Sequence, residues 1–312
     1  MVNKNFLFIL FFITTTVTAF CQYSGGARQR DEDERLRHKK LISAADIVSC
    51  EVYSVSCNDG VYQEPGSLSN ELTFDKNGNP LLETRHNLDG GMNTVYTYQY
   101  DSSDRIIYES FGNDKGKIIS STQYYYSKSG KLEKEKVTDP GAKFSVYYRT
   151  YSYSIVGILL LETITDTLNH ILKQVEYDCN NNGLLMAQKE KRADGSAIFS
   201  TNYKYDKQNR LILTNEEDKD GVAGDEIKYS YDKNGNLVHE EYVSKFGQTY
   251  LEYLYEYNSK GRLIRLQENN PQDGSTNITK YTYNDFGLLA SEVWFDKALK
   301  PLDRIDYYYK TR

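Results

Sequence analysis

Residues able to do acid–base or metal chemistry are few in this chain, and they are scattered. The 312 residues include four histidines, His38, His86, His170 and His239. They show no metal-ligand spacing and share no position in any motif. No nucleophile elbow, zinc-peptidase helix or phosphate-loop pattern occurs. The best cation candidate is the run Asp218-Lys-Asp220-Gly-Val-Ala-Gly-Asp225. Its start has the oxygen spacing of a calcium loop, with Asp218, Asp220 and Asp225 as candidate ligands, but Tyr229 stands where such a loop needs its closing glutamate. An acidic, solvated loop is the plainer reading. The expectation is a protein that is not an enzyme and uses no cofactor.

Aromatic stacking is the other chemistry on offer. The chain has 29 tyrosines and one tryptophan. Tyr108, Tyr125, Tyr242, Tyr250 and Trp294 fall outside the dominant tyrosine pattern. They are expected to face outward, where Tyr108, Tyr242, Tyr250 and Trp294 would stack on the rings of a ligand such as a sugar.

The remaining tyrosines mostly belong to a repeat. Its unit is Tyr-x-Tyr, a four-residue turn, then x-Leu, as in Tyr255-Glu-Tyr257-Asn-Ser-Lys-Gly261-Arg-Leu263. The second aromatic falls at Phe74, Tyr100, Tyr126, Tyr153, Tyr177, Tyr205, Tyr231, Tyr257, Tyr283 and Tyr309, in steps of 24–28 residues. A sustained period of this length marks a repeat array. Bulky and polar residues alternate through the aromatic slots, which predicts half-buried β-strands.

The turn opens on Asp, Asn or Ser and reaches Gly, Asn or Asp three positions later. This is the chemistry of a type I turn closed by a left-handed residue. Only the copy at Asp178 is stretched, reaching Gly183 through two extra residues. Each period supplies two strands. The far loops, such as Asp139-Pro140-Gly141 and Lys300-Pro301, differ more in sequence and are expected to carry recognition.

These elements define the expected architecture. Residues 1–21 read as a signal peptide, with Lys4 before the apolar run Phe6–Ile13 and a cleavage site at Ala19-Phe-Cys21. Phe20 argues against acylation at Cys21. Residues 22–45 form a charged linker or N-terminal cap, and 46–73 an irregular first part. Residues 74–312 form the array, an all-β antiparallel meander of about 20 strands, curled into a single-layer strip or open shell. Along it, tyrosines and the leucines of intervening strands form one ladder. Cys50 and Cys57 lie too far apart on one extended strand to bond, and with Cys179 the count is odd.

Tyr229-Ser-Tyr231-Asp232-Lys-Asn-Gly235-Asn-Leu237 resembles the signature of the YD repeat, also called the RHS repeat, at every named position. Tyr98 to Ile106 and Tyr203 to Leu211 resemble it with Asp104 and Asn209 for the glycine. The resemblance covers about residues 70–312 and implies long antiparallel β-strips that coil. In large toxin relatives such strips wrap a cargo. That role is not carried over here, because this chain is far shorter and ends soon after its tenth Tyr-x-Tyr.

The formal net charge is −6, which argues against nucleic acid as a partner. The expected function is a non-catalytic exported repeat scaffold, binding carbohydrate or a protein partner outside the cell or at its envelope. A purely structural or assembly protein is one alternative. The apolar run Ile155, Ile158, Leu159, Leu160 and Leu161 is a candidate self-association patch. Arg265 and Glu268 fall on opposite faces of one strand, which argues against an integral membrane protein. A transmembrane β-barrel is kept as the other alternative, because alternating strands of about nine residues also fit that class.

Overall fold

The computed structural model describes residues 26–312. The expected signal peptide and Cys21 lie outside the described residues. Helix α1 (Gly26–Ala44) comes first. It is rich in Arg, Glu and Lys, which favour helix, and is laced by pairs one turn apart: Glu32–Arg35 at 2.6 Å and Glu34–Arg37 at 2.9 Å. The expected linker or cap is thus largely helical. The chain turns from the helix into the first strand through Ala45 and Asp46, whose φ is 52°.

The strands follow in chain order: β1 (Ile47–Asn58), the two-residue β2 (Val61–Tyr62), β3 (Ser67–Phe74), β4 (Pro80–Arg85) and β5 (Thr94–Tyr100). Then come β6 (Ile106–Asn113), β7 (Ile118–Tyr126), β8 (Leu132–Thr138), β9 (Val146–Tyr153) and β10 (Leu159–Thr165). The middle holds β11 (Ile171–Cys179), β12 (Leu185–Arg192), β13 (Ala197–Tyr205), β14 (Leu211–Asp218) and β15 (Ala223–Tyr231). The chain ends with β16 (Leu237–Val243), β17 (Thr249–Tyr257), β18 (Leu263–Asn270), β19 (Ser275–Tyr283), β20 (Leu289–Phe295) and β21 (Pro301–Thr311).

From β3 onward every strand pairs antiparallel with its successor, as the repeat predicts. The ends then meet. β1 pairs with β3 on one side and with β21 on the other, from Ile47↔Thr311 to Ser56↔Asp303. Apart from β2, which pairs only with β1, the result is a closed ring of 20 antiparallel strands. The expected open strip or shell is therefore corrected to a closed β-barrel. The physical reason is β1. This strand carries no Tyr-x-Tyr repeat, yet it offers two backbone edges to the array's first and last strands. Both free edges are thereby removed.

The turns form as expected. In Asp232–Gly235 the Asp232 carboxylate accepts hydrogen bonds from the Asn234 and Asn236 N–H groups at 2.8 and 2.9 Å, and Gly235 has φ 88°. The far loops are more regular than expected. In Asp166–Asn169, Asp218–Gly221 and Asp296–Leu299 the last residue's N–H donates to the aspartate's backbone carbonyl at 2.9–3.2 Å, as Gly235 does to Asp232 at 3.1 Å.

One copy is re-phased. Cys179 pairs with Leu185 just as Tyr205 pairs with Leu211. Asn180, not Asp178, opens its turn, with the Gly183 N–H donating to the Asn180 carbonyl at 2.9 Å. Cys179 therefore occupies the second aromatic slot, the stretched turn disappears, and the flanking steps both become 26 residues. Cys50 and Cys57 are free and Cys179 is disulfide-bonded.

Candidate functional site: the barrel lumen

Helix α1 identifies which face of the sheet is the inner one. Lys39 pairs with Asp104 in the β5–β6 turn, and two residues earlier the Arg37 guanidinium donates to the Gly261 carbonyl in the β17–β18 turn at 3.2 Å. Eight strands separate those turns one way round the ring and twelve the other. A helix outside the wall could not touch both. α1 therefore crosses the mouth at the end of the barrel where these turns lie. A ring of 20 strands is at least about 30 Å across at the backbone. A helix about 10–12 Å wide with two extended side chains bridges most of that.

Further contacts hold the helix there. The Ser43 hydroxyl donates to the Lys76 carbonyl at 2.8 Å. The His38 ring sits 6.5 Å from that of Phe74 and 6.3 Å from that of Tyr309. Ile42, fully buried, packs in a cluster with Cys50, Val52, Phe74, Leu288 and Ile305. Phe74 and Tyr309 belong to the tyrosine ladder, so the ladder lines the inside.

The ladder explains why the repeat uses tyrosine. The second tyrosine of a unit, at the end of its strand, donates its hydroxyl to the backbone carbonyl that starts the strand just before. Tyr126, Tyr153, Tyr205, Tyr231, Tyr257 and Tyr283 do so at 2.7–2.8 Å. The first tyrosines pack with the leucines, as in the cluster of Leu237, Tyr255, Leu263 and Tyr281.

A row of glutamates also faces inward, and it was not singled out from the sequence. Glu83, Glu109, Glu135, Glu162, Glu240 and Glu292 each stand nine residues after a second-slot aromatic. Each sits opposite a residue in a neighbouring first slot, as in Tyr98↔Glu109 and Tyr281↔Glu292. Tyrosines of the next unit donate to them: Tyr124 to Glu109 at 2.6 Å, Tyr151 to Glu135 at 2.9 Å and Tyr307 to Glu292 at 2.5 Å. The fixed offset was the available signal. These carboxylates were hidden among the chain's many surface acids.

A pocket of about 330 Å³ opens on the inner wall at the seam, where β1 joins the array to itself. Trp294 and Ile305 supply its apolar side. The short side chains of Ser54, Ser69 and Asn70, from β1 and β3, leave the room. Arg85 borders it, stacked over the Tyr96 ring at 4.3 Å and bonded to Glu83 at 2.5 Å.

The candidate residues divide accordingly. Trp294 and Tyr242 point inward, not outward as expected. Trp294 packs on the cluster under α1, and Tyr242 lies 5.8 Å from Tyr253. Tyr250 touches Tyr242 at 6.2 Å and bonds Asp225. Tyr108 stands on the outer wall opposite Gln99 and Gln123, and Tyr125 is exposed there. Asp218 is used by its own turn, Asp220 pairs with Lys219 and Asp225 accepts the Lys245 N–H. Among the described residues no group of three or more His, Cys, Asp or Glu is placed to hold a metal ion.

The apolar run is split as well. Ile158 and Leu159 turn inward, whereas Ile155 and Leu160 are exposed. The outer wall carries ion pairs at mid-strand, among them Glu176–Lys191 at 2.5 Å and Lys228–Glu241 at 3.6 Å.

Closure also corrects two functional expectations. A strip with exposed recognition loops is replaced by a closed barrel with an interior, so the repeat-scaffold function is withdrawn. Its alternative, a transmembrane β-barrel, fits the closed ring better. The exclusion of an integral membrane protein is withdrawn with it. A closed barrel satisfies every backbone group within itself and is one of the two architectures that cross a bilayer.

No protein-family profile matches the chain, and no curated protein does. Among solved structures it is similar to a porin-like protein from Bacteroides uniformis, at 12% identity and TM-score 0.38, covering 85% of this chain and 97% of that one. A porin-like protein from Bacteroides vulgatus is similar at 15% identity and TM-score 0.33, over 73% of this chain and 97% of that one. TcdB2-TccC3 matches at 15% identity and TM-score 0.33, over 78% of this chain but only 16% of its own length. Likenesses this distant carry no functional argument, and function is read from the barrel's own geometry.

Proposed function

We propose that this protein is a porin-like barrel of the cell envelope that works through its lumen. A small uncharged solute enters at the mouth opposite α1 and rests in the seam pocket against Trp294. The observation that carries this reading is the β1–β21 pairing, which turns an array into a vessel with one inner surface. That surface offers aromatic faces and hydroxyls, with an apolar pocket and a few polar groups at the seam, as small-molecule sites do. Resemblance to the YD repeat is compatible with it, since a strip that curls fully becomes a barrel.

Whether the vessel is a conduit depends on the outer wall. A lipid-facing band is apolar over about 25 Å, and here ion pairs stand at mid-strand. Fractionating expressing cells and measuring liposome swelling with neutral solutes of rising size separates the cases. Membrane residence with size-limited swelling supports the conduit. An aqueous barrel that leaves liposomes tight overturns it.

Trp294 is the chain's single tryptophan, so its fluorescence reports the pocket in either setting. Solutes that swell liposomes should quench or shift it. No response to any permeant solute would remove the pocket from the reading.

A further inference from the structure

We infer that α1 is a removable stopper, a helix hinged to the wall that leaves the mouth as one unit while the barrel stays closed. This rests on the lumen as the working compartment and adds its control.

Three observations carry it. First, the helix is joined to β1 by only Ala45 and Asp46, and Asp46 is held at positive φ with its carbonyl accepting the Arg312 N–H at 3.1 Å. That is a short pivot fixed to the last strand. Second, its contacts are lopsided. Leu41, Ile42 and Ala45, next to the pivot, contribute to the apolar cluster. His38 extends the buried side one turn farther, against Phe74 and Tyr309, while Arg37–Gly261 and Lys39–Asp104 beside it are polar contacts at partly exposed groups. Such contacts are individually weak and screened by salt. The helix can therefore open locally at far lower cost than a strand built into the closed ring.

Third, the seat is shaped for the helix at one turn. A Cβ on Gly78 would lie 2.2 Å from the Lys39 carbonyl oxygen and 3.2 Å from the Ser43 nitrogen. Gly235 occupies the same turn position at nearly the same φ, and a Cβ there meets nothing within 4 Å. The turn chemistry demands a left-handed residue at both places. Only at Gly78 does the helix add a second demand.

Cys50 provides the readout. It is free, 3% exposed, and packed with Ile42 on the inner wall beneath the helix. Cys57 is free and partly exposed, and serves as an internal standard. The experiment first reduces the Cys179 disulfide, so that no cross-link restrains the chain, then labels the full chain with N-ethylmaleimide and reads each cysteine by peptide mass.

In the wild type Cys50 should be slow and Cys57 fast. Gly78→Ala, and separately the pair Arg37→Ala with Lys39→Ala, should speed Cys50 by about tenfold or more, with Cys57 and the cooperative unfolding of the strands unchanged. Gly235→Ala carries the same backbone strain and should leave the Cys50 rate alone. Equal Cys50 rates in Gly78→Ala and Gly235→Ala would overturn the stopper. So would Cys50 and Cys57 accelerating together, which means the wall itself loosens. A failure of solute admission with the labelling pattern intact would remove the lumen reading and leave the hinge standing.

Discussion

The hydroxyl of Tyr257 donates to the backbone carbonyl of Leu237 at 2.8 Å, twenty residues back at the start of the neighbouring strand. The bond runs from the end of β17 to the start of β16, its paired neighbour, so each unit is tied to the one before it by a side chain as well as by the sheet ladder. Leu237 supplies the accepting carbonyl from its backbone while its side chain packs with Tyr255 in the ladder. This is why phenylalanine, equal in shape, does not serve in most units.

Tyr257→Phe should cost about 1 kcal/mol, the usual net worth of one neutral hydrogen bond. Combined with Tyr153→Phe, remote on the ring, the losses should add. Denaturant unfolding of the single and double variants measures both. Strong non-additivity would show that the ladder acts as one body.

Tyr307→Phe should cost more, about 1.5–3 kcal/mol, because the acceptor is the carboxylate of Glu292, which is 2% exposed. Glu292→Gln keeps an acceptor for the tyrosine and should be milder than Tyr307→Phe. The reverse order in thermal melts would mean that the buried charge, not the lost bond, sets the cost.

Removal of residues 301–312 deletes β21 and reopens the ring. In a linear array this would subtract one strand and leave the rest folded. In the closed barrel it exposes the edges of β1 and β20 together. The truncated chain should lose its single sharp unfolding transition and associate. Size-exclusion chromatography and calorimetry would show it, and a soluble monomer melting cooperatively would contradict closure.

Acid should weaken the protein through His38. Burial between α1 and the rings of Phe74 and Tyr309 pushes its imidazole down to about 4. The unfolded chain takes up a proton near pH 6.5 while the folded chain waits until about pH 4. The unfolded state therefore binds more protons in that window, and stability falls as pH drops through it, by no more than about 3 kcal/mol. Below the window this contribution is flat. Asp104 adds loss at lower pH. Its partial burial works the other way, but hydrogen bonds from Lys39, Asn79 and Asn77 hold its carboxylate below its ordinary value. His38→Phe should flatten the upper part of the curve, and an unchanged slope between pH 6.5 and 4 would place the sensitivity elsewhere.

Much of this protein is decided within a strand or a hairpin, and that part the sequence determines alone. Alternation at Tyr229-Ser-Tyr231 sets strand and face. Asp232 and Gly235 set the turn, because one carboxylate and one left-handed residue suffice to reverse the chain. The ladder of tyrosine and leucine follows from those two and was legible.

The re-phasing at Cys179 was not, since a cysteine in an aromatic slot is visible only through its pairing with Leu185. Closure was not legible either. It depends on twist and curl accumulated over the array and on β1, some 250 residues away in sequence, meeting Tyr308 and Tyr309 in register. Only the tertiary structure decides it, and with it which face becomes the inside. A single repeat with one bulky and one polar face is compatible with curvature of either sign. That choice turned Trp294 inward, gathered the glutamates into a row and left room at the mouth for α1.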